Sequence, residues 1–196
     1  MRPRSQGAEP LVEAEATTQA EPLSPARVVA FSIAAAAAAV WVVQYGIAIE
    51  AVVAAAFFGT LAYVSAVDFE TRRIPNLVVL PATAVTLAIV AVLHSDQLLI
   101  ATVAALGAFL FFFIPGLISS KLVGMGDAKL ALLIGAMLGD DVLSALMIAA
   151  FSAGFVALLY VVLAGRRALQ TAIPLGPFLA GGAVIALLAG GGTLYS

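Results

Sequence analysis

Two aspartates stand apart because of what surrounds them. Asp127 lies in Lys121-Leu-Val-Gly124-Met125-Gly126-Asp127-Ala128-Lys129-Leu130, where a carboxylate follows two glycines inside an otherwise apolar run. Asp68 closes an earlier apolar run and opens Asp68-Phe-Glu-Thr-Arg72-Arg73-Ile-Pro75-Asn76. Almost nothing else in the hydrophobic part of the chain ionises. Two carboxylates brought within hydrogen-bond reach cannot both be charged, so they share a proton and titrate as a pair. Such a pair can activate water: the ionised member takes a proton from it as it attacks a carbonyl, while the protonated member donates to the carbonyl oxygen. That chemistry needs neither a covalent intermediate, a metal nor a cofactor.

The elements that must position the pair are membrane helices. The chain has 196 residues, 63% hydrophobic and 10% charged, and a mean hydropathy of +1.14. These values describe an integral membrane protein of the all-α, polytopic bundle class. The absence of cysteine excludes disulfides, thiolate catalysis and cysteine zinc sites, and the single His94 cannot build a histidine metal cluster. No nucleic-acid partner is expected.

Residues 1–27 hold Glu9, Glu13, Glu15, Glu21, Pro22 and Pro25 without apolar periodicity. They are expected to form a disordered cytoplasmic tail, leaving 28–196 as the transmembrane domain. A span needs about 20 apolar residues, which predicts seven helices near 28–47, 51–67, 77–93, 98–118, 128–139, 142–164 and 173–191. The fifth is short and stops at Asp140-Asp141. With a cytoplasmic N-terminus, alternation puts Arg2, Arg4, Arg27, Arg72, Arg73, Lys121, Lys129, Arg166 and Arg167 inside, which is every basic residue in the chain. Glu50, His94, Asp96, Asp140 and Asp141 fall outside, with Trp41, Tyr45 and Tyr195 as outer interfacial aromatics. Confinement of Lys and Arg to cytoplasmic loops is what membrane insertion favours. Both aspartates then reach the cytoplasmic side of the plasma membrane, one ending the second helix and the other opening the fifth.

Each aspartate also has a plainer reading. Asp127 could cap a helix by accepting from free first-turn amides, and Asp68 could sit at headgroup level paired with Arg72. Against this, Gly124 and Gly126 permit unusual backbone angles and the close approach of another segment, which a cap does not need. Pro75 pushes Ile74 away from helix, and Asn76 can cap the third helix. Helix dipoles favour negative charge at Asp127 and disfavour it at Asp68 by about 0.3–1 kcal/mol per end, making Asp127 the base and Asp68 the acid. Lys129 is read as snorkelling to lipid phosphates, with tuning of the pair as the alternative. Arg72 and Arg73 are read as gripping anionic headgroups. Pro115-Gly116 either kinks or ends the fourth helix. Phe109 and Phe111 to Phe113 are lipid-facing or packing residues, and His94 is solvated.

Taken together, Asp68-Phe-Glu-Thr-Arg-Arg-Ile-Pro-Asn, Gly-Met-Gly-Asp-Ala-Lys-Leu and Ile173-Pro174-Leu175-Gly176-Pro177-Phe178 resemble the type IV prepilin peptidases, membrane aspartic proteases of the GxGD class. The resemblance covers roughly residues 50–190 and implies that Asp68 and Asp127 are the catalytic pair. It implies that the segment containing Pro174, Gly176 and Pro177 helps wall the site. It also implies a substrate, a prepilin-like protein whose short basic leader is cut after a glycine, just before its hydrophobic helix. Larger bacterial members carry an N-terminal part with zinc-binding cysteine pairs that precedes N-methyltransferase activity. Without cysteines this chain resembles the short, peptidase-only branch serving Tad-type pili, and no methyl transfer is expected. Presenilin-like proteases are less similar, since Val67 rather than Tyr precedes Asp68 and Pro-Ala-Leu does not occur. Two other functions compete: a proton-coupled transporter, which would place carboxylates nearer mid-helix and show internal repeats, and a noncatalytic assembly factor whose aspartates are caps.

Overall fold

The structure, a computed structural model, describes residues 24–46, 49–118, 124–165 and 174–190. Among these it contains seven α-helices: α1 (Pro25–Tyr45), α2 (Ile49–Thr71), α3 (Asn76–Leu93), α4 (Leu98–Ile118), α5 (Met125–Leu138), α6 (Val142–Ala164) and α7 (Gly176–Ala189). A single 3-10 turn, Gly139–Asp141, joins α5 to α6. Four helices and the continuous 40-residue stretch Met125–Ala164 are long and apolar enough to cross a membrane. In hydrocarbon every backbone polar group must be paired, and helices do this within themselves. The seven-helix expectation therefore holds, with shifted ends. The tail expected over 1–27 lies outside the described residues up to residue 23. Ser24 to Arg27 belong to α1, because Pro25 suits the first helical position and the Ser24 hydroxyl accepts from the Arg27 N–H at 3.3 Å.

Helices adjacent in sequence pack as antiparallel pairs, α1 on α2, α4 on α5 and α6 on α7, while α3 lies on α5. Small residues make these pairings close. A Cβ on Gly135 would stand 2.6 Å from the Ala104 carbonyl oxygen, and one on Gly182 would overlap the Ala145 carbonyl oxygen. Without a hydrophobic driving force between helices in lipid, such close backbone contact supplies the dispersion that holds them together. The central element is α5, buried at every position from Leu130 to Leu138 except Leu132. At 14 residues it is about 21 Å long, short of the roughly 30 Å hydrocarbon core. Its length is tolerable because it faces other helices instead of lipid. The outward positions elsewhere are apolar and open, as at Val43 86%, Leu77 91% and Val92 81% exposed, which suits a multi-pass protein in a bilayer.

Side-chain contacts sort the helix ends. At one end Ser24 and Arg27 bond Glu70, Asp68 meets Gly176, and Lys129 meets Asn76. At the other the Tyr45 hydroxyl donates to the Leu188 carbonyl at 3.3 Å, and Glu50, His94 and Met137 line one small cavity. Arg27, Arg72, Arg73 and Lys129 all belong to the first end. The remaining basic residues, Arg2, Arg4, Lys121, Arg166 and Arg167, lie outside the described residues, as does Tyr195.

Three local expectations are corrected. Trp41 is not an interfacial anchor: it is 1% exposed, its ring 4.8 Å from that of Tyr45 and 6.4 Å from that of Phe58. The alanines of α1 and α2 leave space that only a large ring fills, and burial of its area outweighs a headgroup position. Asn76 does not cap α3; Pro75 holds the cap position and Asn76 is the first helical residue. Helix α2 runs past Asp68 to Thr71, since the Arg72 N–H donates to the Asp68 carbonyl at 2.8 Å. Arg72 then reverses the chain at φ 54°, a left-handed position usually taken by glycine.

Candidate active site

Asp68 occupies the last turn of α2 and is 6% exposed. A carboxylate that deep must be hydrogen-bonded, and the Gly176 N–H, first in α7, donates to its Oδ2 at 2.9 Å. The orphan amides of a helix start are natural anion partners. Gly176 is what lets α7 come this near, because a Cβ there would lie 2.7 Å from the same oxygen and 3.1 Å from Asp68 Cβ. Pro177 follows at the second helical position, where its missing N–H is not needed, and Pro174 leads in from outside the helix.

Asp127 is half-buried in the first turn of α5, three residues after the cap position held by Gly124. Its Oδ2 accepts from the Gly124 N–H at 3.1 Å. The capping alternative is thus present in the structure, in the back-reaching form, yet it engages one carboxylate oxygen. Gly126 answers a different demand: a Cβ would stand 2.8 Å from Ile74 Cβ, so the segment after Asp68 lies directly on the glycine turn. Lys129 adds a second tie, its Nζ donating to Asn76 Oδ1 at 2.9 Å. Asn76, at the start of α3, thus offers Lys129 an acceptor within the protein.

Three sequence motifs therefore converge, although α2 packs chiefly on α1 and α7 and α5 chiefly on α3 and α4. Helix α7 touches both aspartate-bearing helices. The two carboxylates lie within Coulombic reach of each other, with no hydrogen bond between them. Each has one oxygen held by a glycine N–H and the other without a hydrogen bond among the described residues. Arg72 acts electrostatically on Asp68 without forming the ion pair of the plainer reading. Sequence reasoning missed the amide donated by Gly176 and the Asn76–Lys129 bond, since both join helices far apart in the chain. Glycine directly before proline at a helix start was the available signal for the first.

Comparison with known proteins adds an independent line. The sequence model of the type IV leader peptidase family matches residues 55–165. A protein of Bacillus subtilis (strain 168) described as prepilin leader peptidase/N-methyltransferase is 30% identical over 151 residues, 76% of this chain and 60% of that protein. One of the same description from Pseudomonas putida is 30% identical over 152 residues, 75% of this chain and 53% of that protein. The chain thus spans somewhat over half the length of these curated relatives. No solved structure matches.

Proposed function

Because the chain belongs to the type IV leader peptidase family, we propose that it is an aspartic endopeptidase that removes the N-terminal leader of prepilin-like proteins at the cytoplasmic face of the plasma membrane. The observation that carries this reading is that Asp68 and Asp127 stand at the same end of the bundle, each with one oxygen tied to a glycine amide. One aspartate takes a proton as the water oxygen bonds the scissile carbonyl carbon. The other protonates the carbonyl oxygen and, as the C–N bond breaks, a proton passes to the leaving amine. The amides of Gly124 and Gly176 fix the carboxylates so that little reorganisation remains for the reaction. Pro174 and Pro177 bracket the start of α7 and stiffen the wall that presents the Gly176 amide.

The charge distribution supports this face of the membrane. Arg27, Arg72, Arg73 and Lys129 share the aspartate end, and the other end carries the acidic residues Glu50, Asp96, Asp140 and Asp141 with His94, a distribution that insertion favours with the basic end inside. Membrane lipids are the second partner class, through these same basic groups. The activity proposed is cleavage alone, without methyl transfer.

Co-expression with a pilin-like substrate tests the reading. Asp68→Asn and Asp127→Asn should each abolish leader removal while the protein remains inserted, and mass spectrometry of the wild-type product should show an unmodified N-terminal amine. Normal processing by either variant contradicts the pair. The wild-type chain's lack of cysteine permits a topology test: Arg73→Cys should resist a membrane-impermeant maleimide in intact cells, and Asp96→Cys should react.

A further inference from the structure

Asp68 sits in the last turn of α2, residues 68–71, and a helix end is where backbone order is weakest. What fastens that turn can be read residue by residue. Phe69 is 65% exposed. The Thr71 hydroxyl donates to the Val67 carbonyl at 2.8 Å, within its own helix. Among the described residues, only Asp68 and Glu70 of this turn bond another helix through their side chains. Successive residues turn by about 100° around a helix, so Glu70 leaves α2 roughly opposite Asp68. Asp68 meets the start of α7 and Glu70 the start of α1, the two helices on which α2 chiefly packs.

Both oxygens of Glu70 are engaged. Oε2 accepts from the Arg27 guanidinium at 3.0 Å, and Oε1 accepts from the Ser24 hydroxyl. The same hydroxyl caps α1 by accepting from the Arg27 N–H at 3.3 Å, so one group joins the first turn of α1 to the last turn of α2. A lone exposed ion pair would hold little, but here a hydroxyl braces it. Arg27 is also half-buried, its Nε covered by the protein, so its guanidinium is not a freely swinging surface group. On the far side of the turn the margin is narrow: the Gly176 N–H lies 2.9 Å from Asp68 Oδ2, and one added carbon on Gly176 would already overlap that oxygen. A last turn free to fray would lose this bond first.

We propose that Glu70 is a positioning residue of this site: with Ser24 and Arg27 it clasps the end of α2 to α1, so that Asp68 keeps the Gly176 amide. The inference rests on the aspartate-pair reading above. Glu70 acts through Asp68, by fixing where its carboxylate stands before substrate arrives.

The test uses the full-length protein, with leader cleavage measured in proteoliposomes and backbone amide exchange followed by NMR in nanodiscs. In Glu70→Ala the Gly176 amide should exchange at least about fivefold faster, while that of Leu179, bonded to the Leu175 carbonyl within the same stretch at 3.1 Å, should not change. The same variant should lower kcat roughly 3- to 10-fold, with KM within about twofold. Glu70→Arg, set against Arg27, should be slower still, and combining it with Arg27→Glu should restore both kcat and the protection of Gly176. Unchanged exchange at Gly176 would overturn the proposal; so would faster exchange at Leu179 as well, which marks general loosening, or a rise in KM alone, which marks a substrate contact. Asp68→Asn in the cleavage assay separates the two levels. If it is inactive while Glu70→Ala matches wild type in rate, the positioning role alone fails. If it still cleaves, the aspartate pair fails and the role of Glu70 with it.

Discussion

Gly176→Ala puts the geometry of the aspartate site to its most direct test. The added carbon would lie 2.7 Å from Asp68 Oδ2, about 0.7 Å inside the 3.4 Å at which ordinary contact begins, and 3.1 Å from Asp68 Cβ and Cγ. Rotation of the carboxylate cannot relieve the overlap with Cβ, which is fixed by the α2 backbone. The start of α7 must therefore back away from α2, which breaks the 2.9 Å bond from the Gly176 N–H. Hydrogen bonds to charged groups are worth about 1.5–3 kcal/mol, so the rate should fall roughly 10- to 150-fold. Intrinsic propensity runs the other way, since alanine is favoured over glycine in a helix by about 1 kcal/mol, so little of the loss should come from unfolding. The assay is leader cleavage in proteoliposomes, with the thermal midpoint measured alongside. Gly181→Ala is the control, because on the same helix nothing lies within 4 Å of its added carbon. Cleavage by Gly176→Ala within about threefold of wild type would refute the claim that this contact holds Asp68 in place.

The remaining predictions follow from other contacts. Asn76→Ala and Lys129→Met each break the 2.9 Å bond between α3 and α5 and should slow cleavage to a similar degree, with the double variant no slower than either, as a double-mutant cycle reads directly. Gly182→Ala overlaps the Ala145 carbonyl oxygen and should destabilise the α6–α7 pair by about 1–3 kcal/mol, whereas Gly154→Ala, with open space around it, should not lower the thermal midpoint. Arg72→Gly should raise stability by roughly 1 kcal/mol in denaturant titration, because φ 54° strains a side-chain-bearing residue and not glycine.

Helix number, helix order and the candidate aspartates were legible because each is written locally. Apolar runs bounded by Arg72-Arg73, His94-Ser-Asp96 and Asp140-Asp141 mark spans directly. Boundaries were less so: Asp68 looked like a helix end, yet backbone bonding carries α2 to Thr71, and no hydropathy signal registers one more turn. Trp41 was misread because an aromatic near a span's end looks the same whether it meets headgroups or fills a gap between alanine-rich helices.

By itself the sequence determined that this chain is a helical membrane bundle, with two aspartates singled out by their surroundings. Lipid leaves the backbone no other way to satisfy its polar groups, so composition is decisive there. Only the tertiary structure decided that the Gly176 amide meets Asp68, that Ile74 rests on Gly126, and that Lys129 turns to Asn76. These contacts depend on how closely small residues allow helices to approach. That distance is set by the packing of whole surfaces against one another, and no single segment encodes it.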